Sequence, residues 1–353
     1  MMKHDTKPQP RLLLMGCGAV GGVIAGGLLR HGHDLTIVTH NEKIQQALVS
    51  GGLRLTTPEG AWSVDVRDRA HVDLADTTGP FDVALLAMKA TDVEDAARAV
   101  VEYLTPAGFG VTLQNGIVED PVAELIGSER VVGALVGWGT TMHAPGVYEM
   151  TSQGETIIGE LDGSETPRVR QLRQILASAT ATTVSTNIYG ALWSKLAINC
   201  VVTTLGAVTG QLLGEMLIRA EVRRLALSIV SEAIDVAEAR DVDLEPVGGT
   251  LDIHRLYLAP ERRGRGLAPD KVLKHAIMLA VGLKFRKLKS SMLQSLERGR
   301  EPEIAYMNGY VVEKGRAAGI ATPINAALVE MVREIAAGKR PVAPENLQEL
   351  PQA

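Results

Sequence analysis

The segment Trp193-Ser194-Lys195-Leu196-Ala197-Ile198-Asn199 places an ammonium and an amide on an otherwise apolar helical stretch. At a spacing of i, i+4 the Lys195 and Asn199 side chains share one helix face. A lysine on such a face loses hydration, which brings its neutral form within reach and lets it act as a proton donor. The plainer reading is a surface lysine beside a satisfied core asparagine. A second signal bears on that choice. Gly16-Cys17-Gly18-Ala19-Val20-Gly21 follows the apolar run Arg11–Met15 and opens a helical stretch to Arg30. G-x-G-x-x-G in this strand–turn–helix context is the dinucleotide-binding pattern. Gly16 permits the turn, Gly18 lets backbone approach a pyrophosphate, and Gly21 allows close helix–strand packing. The helix N-terminus then offers free N–H groups and the positive end of its dipole. A glycine cluster set by packing alone is the alternative.

Other candidates follow from the strands between these two segments. The strand Gly32–Val38 runs into Thr39-His40-Asn41, with no acid before Glu42. An acid there would bind the ribose hydroxyls and repel a 2′-phosphate. The chain therefore leans to NADP, with NAD as the alternative, and places His40, Asn41 and Lys43 near the phosphate. The arginine expected there is missing. Lys89 ends the buried strand Phe81–Met88, and ligands of such folds bind at the carboxyl ends of strands. It reads as a cofactor-side residue or as a surface lysine at a helix start. Asn115, in Gln114-Asn115-Gly116 after the strand Gly108–Leu113, could bond a ribose or carboxamide, or simply make a turn.

The elements that hold these residues require two domains, as 353 residues suggest at roughly 100–200 per domain. With 46% hydrophobic and 22% charged residues the chain can bury a core, and with only 3% aromatics that core must be Leu, Val, Ile and Ala. A formal net charge of -5 argues against nucleic-acid binding. Two cysteines, Cys17 and Cys200, fit a reducing compartment. The uncharged stretch Leu12–Leu29, with its Leu14-Met15-Gly16-Cys17 box, mimics an export signal. The apolar run before Cys17 is shorter than the roughly 7–15 residues such a signal needs. A soluble, cytoplasmic protein with no membrane span and no metal site is expected. Residues 1–10 read as a flexible tail, 11–186 as an α/β Rossmann domain, 187–340 as an all-helical domain with an insertion near 246–273, and 341–353 as a tail. Within the first domain, residues 51–67 read as a hairpin insert. Val131–Thr141, Val147–Met150 and Thr156–Gly159 are expected to complete the sheet, with a helix over Thr166–Ser178.

Gly16–Gly21, Met88-Lys89-Ala90, Gln114-Asn115-Gly116 and Leu192–Cys200 stand in one order. Ser290-Ser291-Met292-Leu293-Gln294 and Glu303–Gly309 follow downstream. Together they resemble the ketopantoate reductase (2-dehydropantoate 2-reductase) family over roughly residues 11–337. The resemblance implies a Rossmann domain followed by a helical domain like that of 6-phosphogluconate dehydrogenase. It also implies NADPH-dependent reduction of a 2-keto acid to an (R)-2-hydroxy acid. Lys195 would be the general acid, with Glu303 near it. Asn199 and Ser291 would hold the substrate, and Lys89 and Asn115 the cofactor. The family is found as monomers and as homodimers. Departures stand at Thr203 and Leu288, where the family commonly has asparagines, and at His40. Thr203, still a candidate substrate contact, and Leu288 both shift the site towards apolar side chains. They open the alternative of a D-mandelate-type dehydrogenase acting on branched or aromatic keto acids. A non-catalytic dinucleotide sensor is the third reading, disfavoured by the retained Lys195, Asn199, Ser291 and Glu303. The basic insertion, with Arg262, Arg263 and Arg265, reads as a solvated face, or as a lid whose cations attract an anionic ligand.

Overall fold

Leu12, Leu13, Leu14 and Met15 are all buried, as expected only of a strand covered on both faces. The computed structural model describes residues 9–246, 252–263 and 269–351. The chain forms two units. The first comprises the chain to Gln114 and Val118–Ile188, and the second Asn115–Ile117 with Tyr189 onwards.

In the first unit the order is β1 (Leu12–Met15), α1 (Ala19–Arg30), β2 (Leu35–Val38), α2 (Glu42–Gly51), β3 (Leu53–Thr57), β4 (Gly60–Val64), β5 (Ala70–His71) and β6 (Phe81–Leu86). Then come α3 (Val93–Val100), β7 (Leu104–Thr112), α4 (Glu119–Ile126), β8 (Val131–Val136), β9 (Gly139–Ala144), β10 (Val147–Ser152), β11 (Thr156–Glu160), α5 (Pro167–Leu176) and β12 (Thr182–Val184). The main sheet has eight strands in the order β12-β11-β8-β7-β6-β1-β2-β5, parallel except where β11 meets β8. β1 pairs in parallel with β2 on one side and β6 on the other, Leu12 opposite Leu35 and Val83. The winding reverses beside β1, so the segment leaving its carboxyl end sits where such sheets take ligands.

β9 and β10 do not complete this sheet. They join the β3–β4 hairpin in a separate four-stranded sheet, β4-β3-β10-β9. The cause lies in α1, whose sequence alternates small and branched residues. Gly22 and Gly26 leave a shallow strip into which the Tyr148 ring and the Leu53 and Leu55 side chains fit. That face needs apolar cover, and the second sheet supplies it. Leu53, Leu55 and Tyr148 are 0%, 2% and 1% exposed.

The second unit is helical: α6 (Ile188–Thr209), α7 (Leu213–Leu217), α8 (Ala220–Glu238), α9 (Pro269–Lys284), α10 (Ser291–Glu297), α11 (Asn308–Ala318) and α12 (Pro323–Ala336). Among the described residues α6 alone is long and apolar enough to cross a bilayer, but it is mostly buried within the protein. It is a core helix. Residues 341–351 are anchored at two points. Arg340 holds Glu334, Asn346 and Glu349, while Asn346 and Leu350 are buried. Of the basic insertion, residues 247–251 and 264–268, including Arg265, lie outside the described residues, as do residues 1–8 of the expected leading tail. Arg263 is paired with Asp235 of α8, both largely buried. It is therefore a structural cation rather than an exposed lid residue.

Candidate functional site

The phosphate-binding pattern keeps its geometry at each glycine. Gly16 has φ +94°, a region favouring glycine, and its N–H donates to the Val38 carbonyl at 2.8 Å. A Cβ on Gly21 would lie 2.0 Å from the Gly16 carbonyl oxygen, so only glycine lets α1 approach the turn this closely. At Gly18, the N-cap of α1, a Cβ would meet nothing within 4 Å. That open space lies at a helix N-terminus whose first turn carries no acid, a setting that suits a pyrophosphate. Ala19 and Val20 are half-buried in this first turn. Cys17 is fully buried, and burial pushes its thiol up to about 12. Its side chain turns into the core, so it serves the loop through its backbone.

His40 is exposed just beyond β2, as are Asn41, Glu42 and Lys43. The Asn41 side-chain oxygen caps α2, accepting from the Lys43 and Ile44 amides at 3.1 and 3.2 Å. Its oxygen is thus committed to the helix, while its side-chain NH2 is the group that could donate to a phosphate, so His40, Asn41 and Lys43 all remain phosphate-side candidates. Lys89 is half-buried and stands at the N-terminal edge of the short turn Ala90–Asp92. Gln114, not singled out from sequence, fixes the turn that carries it. Its Nε2 donates to the Leu86 and Met88 carbonyls at 2.9 and 3.3 Å, and its Oε1 accepts from Leu113 N–H at 3.0 Å. An amide at a strand's carboxyl end was the available signal.

The helical unit carries the second cluster. Between Gly190 and Thr209, the side chains of α6 that escape full burial are Lys195, Ile198, Asn199 and Val202. Their spacing of i, i+3, i+4, i+7 makes one stripe on one face. The ammonium and amide therefore share the accessible edge of a buried helix. Two segments dock onto this helix one turn further on. Ser290 caps α10, accepting from Leu293 N–H at 3.0 Å, and its hydroxyl donates to the Thr203 carbonyl at 2.5 Å. This holds the next residue, half-buried Ser291, beside α6. Met307 brings its sulfur to 3.2 Å from the Thr203 hydroxyl, tying the Glu303–Gly309 segment to the same turn.

Thr203 sits one turn beyond Asn199 on α6. It is 7% exposed, and its hydroxyl donates to the Asn199 carbonyl at 2.6 Å. The back-bond four residues upstream uses its only donor, a habit of threonine inside helices. Glu303 is 4% exposed, a buried acid directly after Pro302. Asn115 is half-buried and counts with this unit, where the neighbouring Ile117 N–H donates to the Tyr306 carbonyl at 3.1 Å.

Two further polar groups were missed because only tertiary packing buries them. Asn308 accepts from Thr204 Oγ1 at 2.5 Å and donates to the Cys200 carbonyl at 3.2 Å and to Asn325 Oδ1 at 2.8 Å. It fixes the far side of α6, which orients the Lys195 face. In the first unit, Glu119 is 1% exposed, and burial pushes its carboxyl up to about 7. It accepts from Thr112 Oγ1 at 2.7 Å and Val118 N–H at 3.0 Å. The chain thus offers an open helix N-terminus without acids at α1 and, on α6, an accessible ammonium and amide on one face.

A family model described as ketopantoate reductase PanE/ApbA matches residues 12–163, and one described as ketopantoate reductase PanE/ApbA C terminal matches residues 187–336. The 2-dehydropantoate 2-reductase of Mesorhizobium japonicum is 28% identical over 349 residues, covering 92% of this chain and 98% of its own. A PanE/ApbA family ketopantoate reductase structure from Ralstonia eutropha is similar with a TM-score of 0.78 at 28% identity, over 93% of this chain and 99% of that one. D-mandelate dehydrogenase, solved with NADH and anilino(oxo)acetate, gives a TM-score of 0.77 over 93% and 99%. At 18% identity that likeness speaks to the fold alone.

Proposed function

This chain belongs to the ketopantoate reductase family of oxidoreductases, and from that premise we propose that it reduces ketopantoate to (R)-pantoate with NADPH. The observation that carries the reading is the α6 stripe, where Lys195 and Asn199 are the polar side chains left accessible on a buried helix. The Gly16–Gly21 loop and α1 would hold the dinucleotide's pyrophosphate, Lys89 and Asn115 would contact its other groups, and His40, Asn41 and Lys43 would meet a 2′-phosphate. When bound, the reduced nicotinamide supplies the hydride. As that hydride reaches the keto carbon, negative charge grows on the keto oxygen. The Lys195 ammonium stabilises this charge and delivers the proton that completes the hydroxyl. The resulting amine regains a proton from solvent. Asn199 would bond the keto acid and Ser291 its carboxylate, while Glu303 would hold the lysine head in place. Both cysteines are buried free thiols, which suits a reducing cytoplasm.

One observation favours a different substrate within the same chemistry. Thr203 spends its donor inside α6, and Leu288 is 44% exposed. A site that lacks amide donors discriminates poorly in favour of a hydroxylated side chain, which makes another branched or an aromatic 2-keto acid the alternative substrate. Oxidation of NADPH and of NADH, followed at 340 nm with ketopantoate, 2-ketoisovalerate and phenylglyoxylate, separates the readings. The highest kcat/KM with ketopantoate and NADPH supports the proposal. A preference for phenylglyoxylate assigns the mandelate-type activity. Bound cofactor without turnover of any keto acid leaves a dinucleotide sensor.

A further inference from the structure

The second sheet touches the glycine-rich loop at two points, each through a backbone carbonyl. From β10, the Tyr148 hydroxyl donates to the Cys17 carbonyl at 2.8 Å and lies 3.3 Å from the Cys17 sulfur. From β9, the Thr140 hydroxyl donates to the Ala19 carbonyl at 3.1 Å. Tyr148 is 1% exposed, and its ring fills the strip left by Gly22, where a Cβ would come within 2.2 Å of Cε1. A phenylalanine would fill the same strip. The hydroxyl therefore has a purpose beyond packing, since a buried phenol needs a partner.

The peptide plane gives these bonds a consequence for the amides. In a trans peptide the N–H points opposite to the carbonyl it shares a plane with. Holding the Cys17 carbonyl on Tyr148 turns the Gly18 N–H the other way. Holding the Ala19 carbonyl on Thr140 does the same for the Val20 N–H. Both amides belong to the opening of α1, where N–H groups have no intrahelical acceptor. Gly18 also borders the open space described above.

We propose that Tyr148 and Thr140 are positioning residues for the dinucleotide, fixing the loop's amides in their phosphate-binding orientation before the cofactor arrives. Pre-ordering removes the cost of immobilising the loop during binding. The second sheet is then a clamp on the phosphate loop as well as a cover for α1. The proposal rests on the reading of Gly16–Gly21 as a dinucleotide site.

The test is a fluorescence titration of NADPH and NADH against wild type, Tyr148→Phe and Thr140→Val, paired with amide hydrogen exchange of the unliganded proteins. Tyr148→Phe should raise the cofactor Kd roughly tenfold, equivalent to about 1.4 kcal/mol. Thr140→Val should act in the same direction. Exchange at Gly18 and Val20 should quicken in both, while kcat at saturating cofactor stays within about twofold, the split expected when binding is lost equally from the ground state and the transition state. Thr140→Val keeps the test open if Tyr148→Phe does not fold. Unchanged Kd and unchanged exchange, even with a lowered Tm, would overturn the clamp and leave Tyr148 a packing residue. Wild type that binds neither dinucleotide would overturn the site reading together with the clamp. The two failures are thus told apart by wild type alone.

Discussion

Lys195, Asn199 and Thr203 lie at successive i, i+4 positions of one helix, yet the fold treats them differently. Lys195 and Asn199 remain half-exposed, and Thr203 is turned into the backbone of its own helix. The first two were legible because an ammonium and an amide in an apolar run are anomalies of type. The fate of Thr203 was legible in principle, since hydroxyls inside helices commonly bond four residues back. Glu119 was not legible, because a first-turn acid of a helix usually faces solvent. Here it is buried beside Thr112, and desolvation outweighs the hydrogen bonds it accepts. Its carboxyl is raised from 4.5 to about 7, so between those values the native state binds more protons than the unfolded chain. Stability from this group is therefore fully present below pH about 4.5 and is lost as pH rises through about 7. The total comes to about 3 kcal/mol. Glu119→Gln keeps the buried group neutral. Urea unfolding from pH 4.5 to pH 8 should show Glu119→Gln gaining on wild type by about that amount. Parallel pH profiles would show that Glu119 does not titrate in this range.

At the scale of elements, α1 is pressed between two sheets and its glycines are specific to the layer they meet. The loop before it could be read from sequence because one continuous segment determines it. The sheet above it could not, because Tyr148 and Cys17 are 131 residues apart, and the alternation of β9 and β10 does not say which sheet they join. The two outward glycines give a graded test. At Gly22 a methyl would strike the Tyr148 ring, which is pinned by its hydroxyl, whereas at Gly26 it would chiefly meet the methyl ends of the Leu53 and Leu55 side chains, which can rotate. Overpacking costs about 1–3 kcal/mol. Gly22→Ala should fall near the top of that range and Gly26→Ala near the bottom, read as ΔG of unfolding. The reverse order would mean that the sheet shifts as a body and the ring is not fixed.

Across the whole molecule, the division into an α/β half and a helical half followed from the change of hydrophobic period near residue 187, and the structural boundary falls after Ile188. The periodicity could not show that Asn115–Ile117, read with the first half, packs with the second. Nor could it show that residues 341–351 are held by Arg340, because a short polar stretch carries no period. The helical unit is unified by the buried chain Thr204–Asn308–Asn325–Glu232, which links α6, α11, α12 and α8. Glu232 also accepts from the Ile324 and Asn325 amides at 3.0 Å each, capping α12. Asn308→Ala strands polar groups on two helices. At about 1–3 kcal/mol for a buried group left unpaired, chemical unfolding should reveal a loss of about 3 kcal/mol or more. A loss below about 1 kcal/mol would mean that water replaces the amide.

The proposed reaction needs a dinucleotide bound at the Gly16–Gly21 loop and a proton from Lys195. Its most direct test is single-turnover reduction of a keto acid by Lys195→Ala with cofactor saturating, alongside a cofactor titration of the same protein. A rate lowered by about 10²–10⁴-fold, with cofactor Kd unchanged, is the predicted result. Reduction at the wild-type rate would contradict the assignment of the proton to Lys195.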